Sequence, residues 1–143
     1  MKSIAGRSHR SASFPLISDH IQLGKEGEEA AARFLRKNGY RILYRNFQSP
    51  KGGEIDIVAR DCKENELVFI EVKTRSTDKF GRPAEAVDAA KQMQIIKAAN
   101  YWLFLVDKPD VIYRFDIVEV IPSEPAPRHI LNAFHPASEY ALF

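Results

Sequence analysis

The stretch from Gly52 to Arg75 constrains this chain most: GGEIDIVARD, a short polar turn, then ELVFIEVKTR. Both halves alternate with the period of two that strands require, and the turn from Asp61 to Glu66 is short enough for an antiparallel hairpin. Three ionisable residues, Asp56, Glu71 and Lys73, interrupt what are otherwise apolar strand interiors. Glu71 and Lys73 are two apart and so share a strand face. A turn centred between Lys63 and Glu64 sets Asp56 directly across from Glu71, with Cβ atoms about 5 Å apart on one side of the sheet. Like charges so placed are destabilising, the more so in a low dielectric, and something positive is expected between them. Lys73 is one candidate and a divalent cation is the other.

Residues 1–18 are Ser- and Arg-rich without periodicity. They lack the apolar run of a secretory signal and read as a disordered basic tail, with an organelle transit peptide as the alternative. A helix is expected from about Asp19 to Asn38, stopped by Gly39. Ala30, Ala31, Phe34 and Leu35 form its apolar stripe, with Glu26, Glu29, Arg33, Arg36 and Lys37 opposite. Glu28 lies at the edge of the stripe, and Gly24 and Gly27 remove bulk where the helix start approaches the sheet. A carboxylate leaning inward there is either a helix-start charge satisfied by free N–H groups or a third member of an acidic site.

Tyr40 to Phe47 reads as the first strand, turned by Pro50 to Gly53; the hairpin supplies the second and third. The loop after Lys73 carries Arg75, Lys79 and Arg82. It is placed to hold phosphates and reads equally as an ordinary solvated loop. Pro83 suits a helix N-terminus, and Ala84 to about Val106 reads as a long helix. Its broad apolar coverage (Ala86, Ala90, Met93, Ile96, Tyr101, Phe104) implies that sheet and neighbours cover it. Ile112 to Ile121 is the fourth strand, free to pair parallel to the third through a right-handed crossover. Arg128 to Phe134 offers an edge strand. The expected domain is residues 19–134, between the basic tail and a fraying segment 135–143.

With 143 residues, 45% hydrophobic and 28% charged, the chain has the size and composition of one soluble globular domain. No run approaches the ~18 apolar residues of a membrane span. The single cysteine, Cys62, can close no internal disulfide, which suits a cytoplasmic setting. The 4 histidines show no ligand spacing, so a zinc site is not expected. Of 21 basic residues, Lys2, Arg7 and Arg10 sit in the acid-free tail, leaving 18 against 19 acidic ones. A body so near neutrality lacks the footprint of a non-specific DNA coat, and nucleic-acid contact has to come from local clusters.

Asp, a spacer, then Glu-x-Lys on the next strand resembles the PD-(D/E)XK nuclease motif, with Asp56, Glu71 and Lys73 in its three places. GKEGEEAAARFLRKNGYRIL, RNFQSPKGGEIDIVARD, LVFIEVKTRS, GRPAEAVDAAKQ and YRFDIVEV together resemble the YraN family of small bacterial proteins described as endonucleases. The match covers roughly Gly24 to Phe134. It implies an α/β fold of the restriction-endonuclease-like type, ordered α-β-β-β-α-β, with a mixed sheet flanked by helices. It also implies a metal-dependent endonuclease acting on DNA, branched or structured by analogy with archaeal Holliday-junction resolvases. Those resolvases use a glutamate on the first helix, which points to Glu28. RecB-type nucleases carry a helical glutamine at the site margin, which points to Gln94 beside Lys91; a plain surface role for Lys91 stays open. Arg75, Lys91, Gln94 and Arg45 are the candidate nucleic-acid contacts.

Hydrolysing a phosphodiester requires neutralised charge at phosphorus and a nucleophile made from water, and carboxylate-bound Mg²⁺ or Mn²⁺ supplies both. On this reading Asp56 and Glu71 hold the metal, with the Val72 carbonyl and Glu28 as further ligands, and Lys73 orients the water. Glu54, two before Asp56, is a ligand, a supporting partner or a surface residue. Three rivals remain: a mutually satisfied Asp–Glu–Lys network without catalysis, an inactive nucleic-acid-binding or adaptor protein keeping the fold, and a hydrolase acting on something other than DNA. Cutting a junction requires two sites, which leaves a homodimer as the assembly to look for.

Overall fold

The computed structural model describes residues 17–75, 87–107 and 110–136. The elements run α1 (Ile17–Lys37), β1 (Tyr40–Gln48), β2 (Glu54–Asp61), β3 (Glu66–Thr74), α2 (Ala89–Val106), β4 (Tyr113–Val120) and β5 (Arg128–Phe134). The strands form one sheet in the order β1-β2-β3-β4-β5. Its pairings are antiparallel except for β3 with β4, which run parallel. The fold is therefore α/β with a mixed sheet, and β5 extends the expected order at the edge. Among the described residues no helix is long and apolar enough to cross a membrane.

The hairpin register runs from Asp61↔Glu66 to Ile57↔Ile70, which centres the turn between Lys63 and Glu64. Asp61 fixes that turn: its Oδ1 accepts from the amides of Lys63 at 3.0 Å and Glu64 at 3.2 Å, the local bonding that makes Asp a turn former.

Each face of the sheet carries one helix. α1 buries Ala31, Ala32 and Leu35 on Ile57, Ala59, Val68, Ile70, Val118 and Val120. α2 buries Ile95, Ile96, Ala98 and Ala99 on Ile55, Val58, Phe69, Phe115 and Ile117 of the other face. Burying a side chain of the size of Leu35 or Ile95 contributes about 1.5–3 kcal/mol, so these two seams set where the helices sit. At Gly27 α1 comes close to β3: a Cβ there would run into the Thr74 side chain. Gly24 has nothing within 4 Å of such a Cβ, so the close approach rests on Gly27 alone.

Two expectations for α2 are corrected. The helix begins at Ala89, with Asp88 as its N-cap accepting from the Lys91 amide at 2.9 Å. Val87 lies outside the helix and inside the core, so no continuous helix runs from Ala84; Pro83 and Ala84 themselves fall outside the described residues. A capping carboxylate that satisfies open N–H groups is the stronger start signal. The broad apolar coverage does not translate into cover on all sides, because α2 packs by one face only. Phe104 is 76% exposed.

Candidate active site

The β2–β3 ladder ends at the Ile57–Ile70 pair. Beyond it β3 stays with β4, Glu71 to Thr74 pairing Ile117 to Val120. The hairpin thus opens into a fork. Asp56 Oδ2 accepts the Val72 amide there at 2.8 Å, and the Asp56 and Glu71 carboxyls share a hydrogen bond. These two expected acids are brought together as the register requires, with Lys73 next on the same strand face.

The fork is short of positive charge. Burial first, then the Asp56 charge, push the Glu71 carboxyl up to about 7, against the pull of Lys91 and Lys73. Burial also raises Asp56, as does Glu54, while the Val72 amide, Lys91 and the bond to Glu71 hold it back. Glu54 therefore belongs to the electrostatics of the site. Glu28 approaches from α1; burial, Asp56 and Glu54 raise it, against Arg45 and a hydrogen bond from Asn46. Asn46 adopts a left-handed backbone at φ 56° and lies between the Arg45–Ile57 and Phe47–Ile55 pairs, hence beside Asp56. No sequence pattern marks it.

Lys91 Nζ stands 3.7 Å from Glu71 Oε2. With Gln94, Glu54, Gln48, Ser49, Gly52 and Gly53 it lines a cleft of about 370 Å³. Gly53, at φ 96°, sits directly on the Gln94 carbonyl, where a Cβ would collide. That contact locks the first turns of α2 against the β1–β2 turn. The other two candidate contacts are engaged with acids. Arg75 Nε lies 2.8 Å from Glu119 Oε2, and Arg45 Nη1 lies 3.0 Å from Glu29 Oε2. Glu119 is 1% exposed on β4, in register with Lys73, with Arg128 at 3.6 Å on its other oxygen. Sequence reading passes over it because YRFDIVEV alternates like any half-exposed strand.

Among the described residues no three Asp, Glu, His or Cys side chains converge as a ready metal cage. Asp56 and Glu71 nevertheless suit a hard divalent cation. Both are oxygen donors, and the Asp56 charge beside Glu71 works against ionising it, a cost that a cation between them would relieve. Val72 meets Asp56 through its amide.

A second buried charge cluster lies at the turn end of the hairpin. Arg114 Nη1 meets Glu66 at 2.8 Å and Asp61 at 3.0 Å, Nε meets Asp116 at 3.1 Å, and Nη2 donates to the Tyr40 hydroxyl at 2.8 Å. Asp116, fully buried, also takes His129 Nε2 at 2.8 Å and the Asn132 amide at 2.9 Å.

Residues 27–120 match the profile of a family described as uncharacterised protein family UPF0102. A UPF0102 protein of Geobacter sulfurreducens is 52% identical over 78% of this chain and 88% of its own length. One from Pelobacter propionicus is 47% identical over 81% and 84%. One from Bacteroides thetaiotaomicron is 46% identical over 84% and 98%. The fork, the cleft beside it and strands β1 to β4 fall within the matched span, and the chain belongs to the UPF0102 family.

Proposed function

We propose that this protein is a divalent-metal-dependent endonuclease that hydrolyses phosphodiester bonds in DNA, with branched or structured DNA as its substrate class. One observation carries the reading: two carboxyls from adjacent strands face each other at the fork, and Glu71 holds its proton up to about 7. Such a strongly perturbed acid beside a cleft is characteristic of a working site. The resemblance of Asp56, Glu71 and Lys73 to the PD-(D/E)XK motif and of the longer segments to the YraN family supports it. So does a mixed sheet with one helix on each face, although fold alone assigns no chemistry.

On this reading Asp56 and Glu71 hold Mg²⁺ or Mn²⁺, with Glu28 contributing from α1. A cation bound there supplies charge neutralisation at the phosphate and eases deprotonation of the attacking water. Lys73 orients that water and offsets the developing negative charge. Lys91 steadies Glu71 and, being 44% exposed, is able to turn to a phosphate.

The test is a cleavage panel of linear, flapped and four-way DNA with Mn²⁺. Asp56→Asn and Glu71→Gln each lower the rate by at least about a hundredfold, and wild-type cutting by both variants rejects the assignment. Mn²⁺ also raises the melting temperature of the wild type but not of Asp56→Asn, since a ligand of the folded form stabilises it. The Lys91–Glu71 contact favours a second reading, a non-catalytic nucleic-acid-binding protein whose acids are met internally. Its signature in the same panel is DNA binding without Mn²⁺-dependent cleavage.

A further inference from the structure

The cleft at Glu54 and Lys91 adjoins a second cavity. Ser49 lines both, and beyond it lies a space of about 500 Å³ walled by Lys51, Lys97, Asn100, Tyr101 and Phe104. Together they form a groove along α2, from the acidic fork past the β1–β2 turn to the last turn of the helix. Two chemistries line it. Lys51 and Lys97 are exposed, and among the described residues neither is in an ion pair. At the far end three rings climb out of the core: buried Phe47 stacks on Tyr101 at 6.2 Å, and Tyr101 meets Phe104 at 6.1 Å. A lone exposed ring needs no explanation. Here the ring is backed by a second one fixed in the core, and the lysines stand in the same groove.

We propose that this groove binds a single-stranded nucleic-acid arm leading away from the fork. Tyr101 and Phe104 stack its bases, while Lys51 and Lys97 meet its phosphates. The proposal rests on the nuclease reading for its orientation and narrows that reading to substrates with an unpaired arm. Rings and amines in one channel suit single strands of any sequence, since every base has a π face and every nucleotide a phosphate. A duplex keeps its bases stacked on one another and offers the rings little. A second copy of the chain is the competing occupant, because Leu105 and Val106 are exposed beside Phe104. A symmetric pair closing on this groove brings the same lysine-bearing patch from both copies together, which charge disfavours.

The experiment is fluorescence anisotropy in EDTA with labelled oligothymidine and a blunt duplex of equal length. Wild type prefers the single strand. Phe104→Ala weakens that binding about tenfold, the loss of one stacked base. The double variant Lys51→Gln, Lys97→Gln lowers the slope of log affinity against log salt by about 1.4. Lys63→Gln, on the hairpin turn, removes one charge outside the groove and changes neither. Single-strand binding unaltered in both groove variants overturns the proposal. So does a size-exclusion shift from dimer to monomer in Phe104→Ala with DNA affinity intact, which gives the groove to self-association. Because the assay contains no metal, the two readings fail separately. Groove-dependent binding without Mn²⁺ cleavage removes the nuclease and keeps the groove, and Asp56-dependent cleavage with groove-independent binding does the reverse.

Discussion

The two ends of the β2–β3 hairpin bury charge in opposite ways. At the turn end the acids around Arg114 all meet donors: Arg114 bridges Asp61, Glu66 and Asp116, and Asp116 is closed off by His129 and the Asn132 amide. Arg114 and Asp61 are both held in their charged forms. Burial opposes charge on Arg114, but its bonds to Asp116, Glu66 and Asp61 outweigh that and raise it. Burial likewise works to raise Asp61, and the Glu64 amide, Arg114 and the Lys63 amide bring it below its ordinary value. At the open end acids face acids, and both Asp56 and Glu71 are pushed up. A satisfied network fixes geometry; an unsatisfied one leaves a demand that a ligand can meet.

The comparison breaks most visibly through Arg114. Arg114→Met takes the shared cation from three acids at the turn end, two of them buried, and costs about 3–5 kcal/mol in urea unfolding. A loss below about 1 kcal/mol would mean that the cluster is not the structural one. At the fork the sign reverses: in the metal-free protein at pH 8, Glu71→Gln stabilises by about 1–3 kcal/mol. Folded Glu71 keeps its proton up to about 7, against a reference value of 4.5. The folded state therefore binds more protons in that window, and wild-type stability falls as pH rises through it. The advantage of Glu71→Gln accordingly grows from pH 4.5 and levels off above about 7, whereas a pH-independent difference refutes the upward displacement of the Glu71 carboxyl. The smallest effect belongs to Asp61, whose depressed carboxyl contributes stability above its reference value of 3.8 and loses it as pH falls through the folded value. Asp61→Asn costs about 0.5–1 kcal/mol at pH 7, because asparagine keeps an acceptor oxygen for the Lys63 and Glu64 amides, and nothing once the wild-type carboxyl is protonated.

The hairpin is legible in the sequence because a short polar turn leaves one register, and that register alone puts Asp56 across from Glu71. The cluster at Arg114 is not. Its partner Glu66 lies 48 positions away, and nothing in YRFDIVEV tells a buried Arg or Asp from a solvated one. Phe104 misleads for a related reason: apolar residues all round a helix suggest cover on all sides, yet only the face with Ile95, Ile96, Ala98 and Ala99 packs. The start of α2 turns on Asp88, a capping side chain less conspicuous than Pro83. Asn46 is illegible because its left-handed backbone is set by its neighbours in the sheet.

Where the strands part, the Val72 amide loses the backbone acceptor it would have had from β2, and the Asp56 side chain stands in for it. The same carboxylate that would take part in chemistry is what props the gap apart. An alanine at 56 would therefore confound lost reactivity with a collapsed opening. Asparagine keeps an acceptor for that amide, and so isolates the charge from the scaffold.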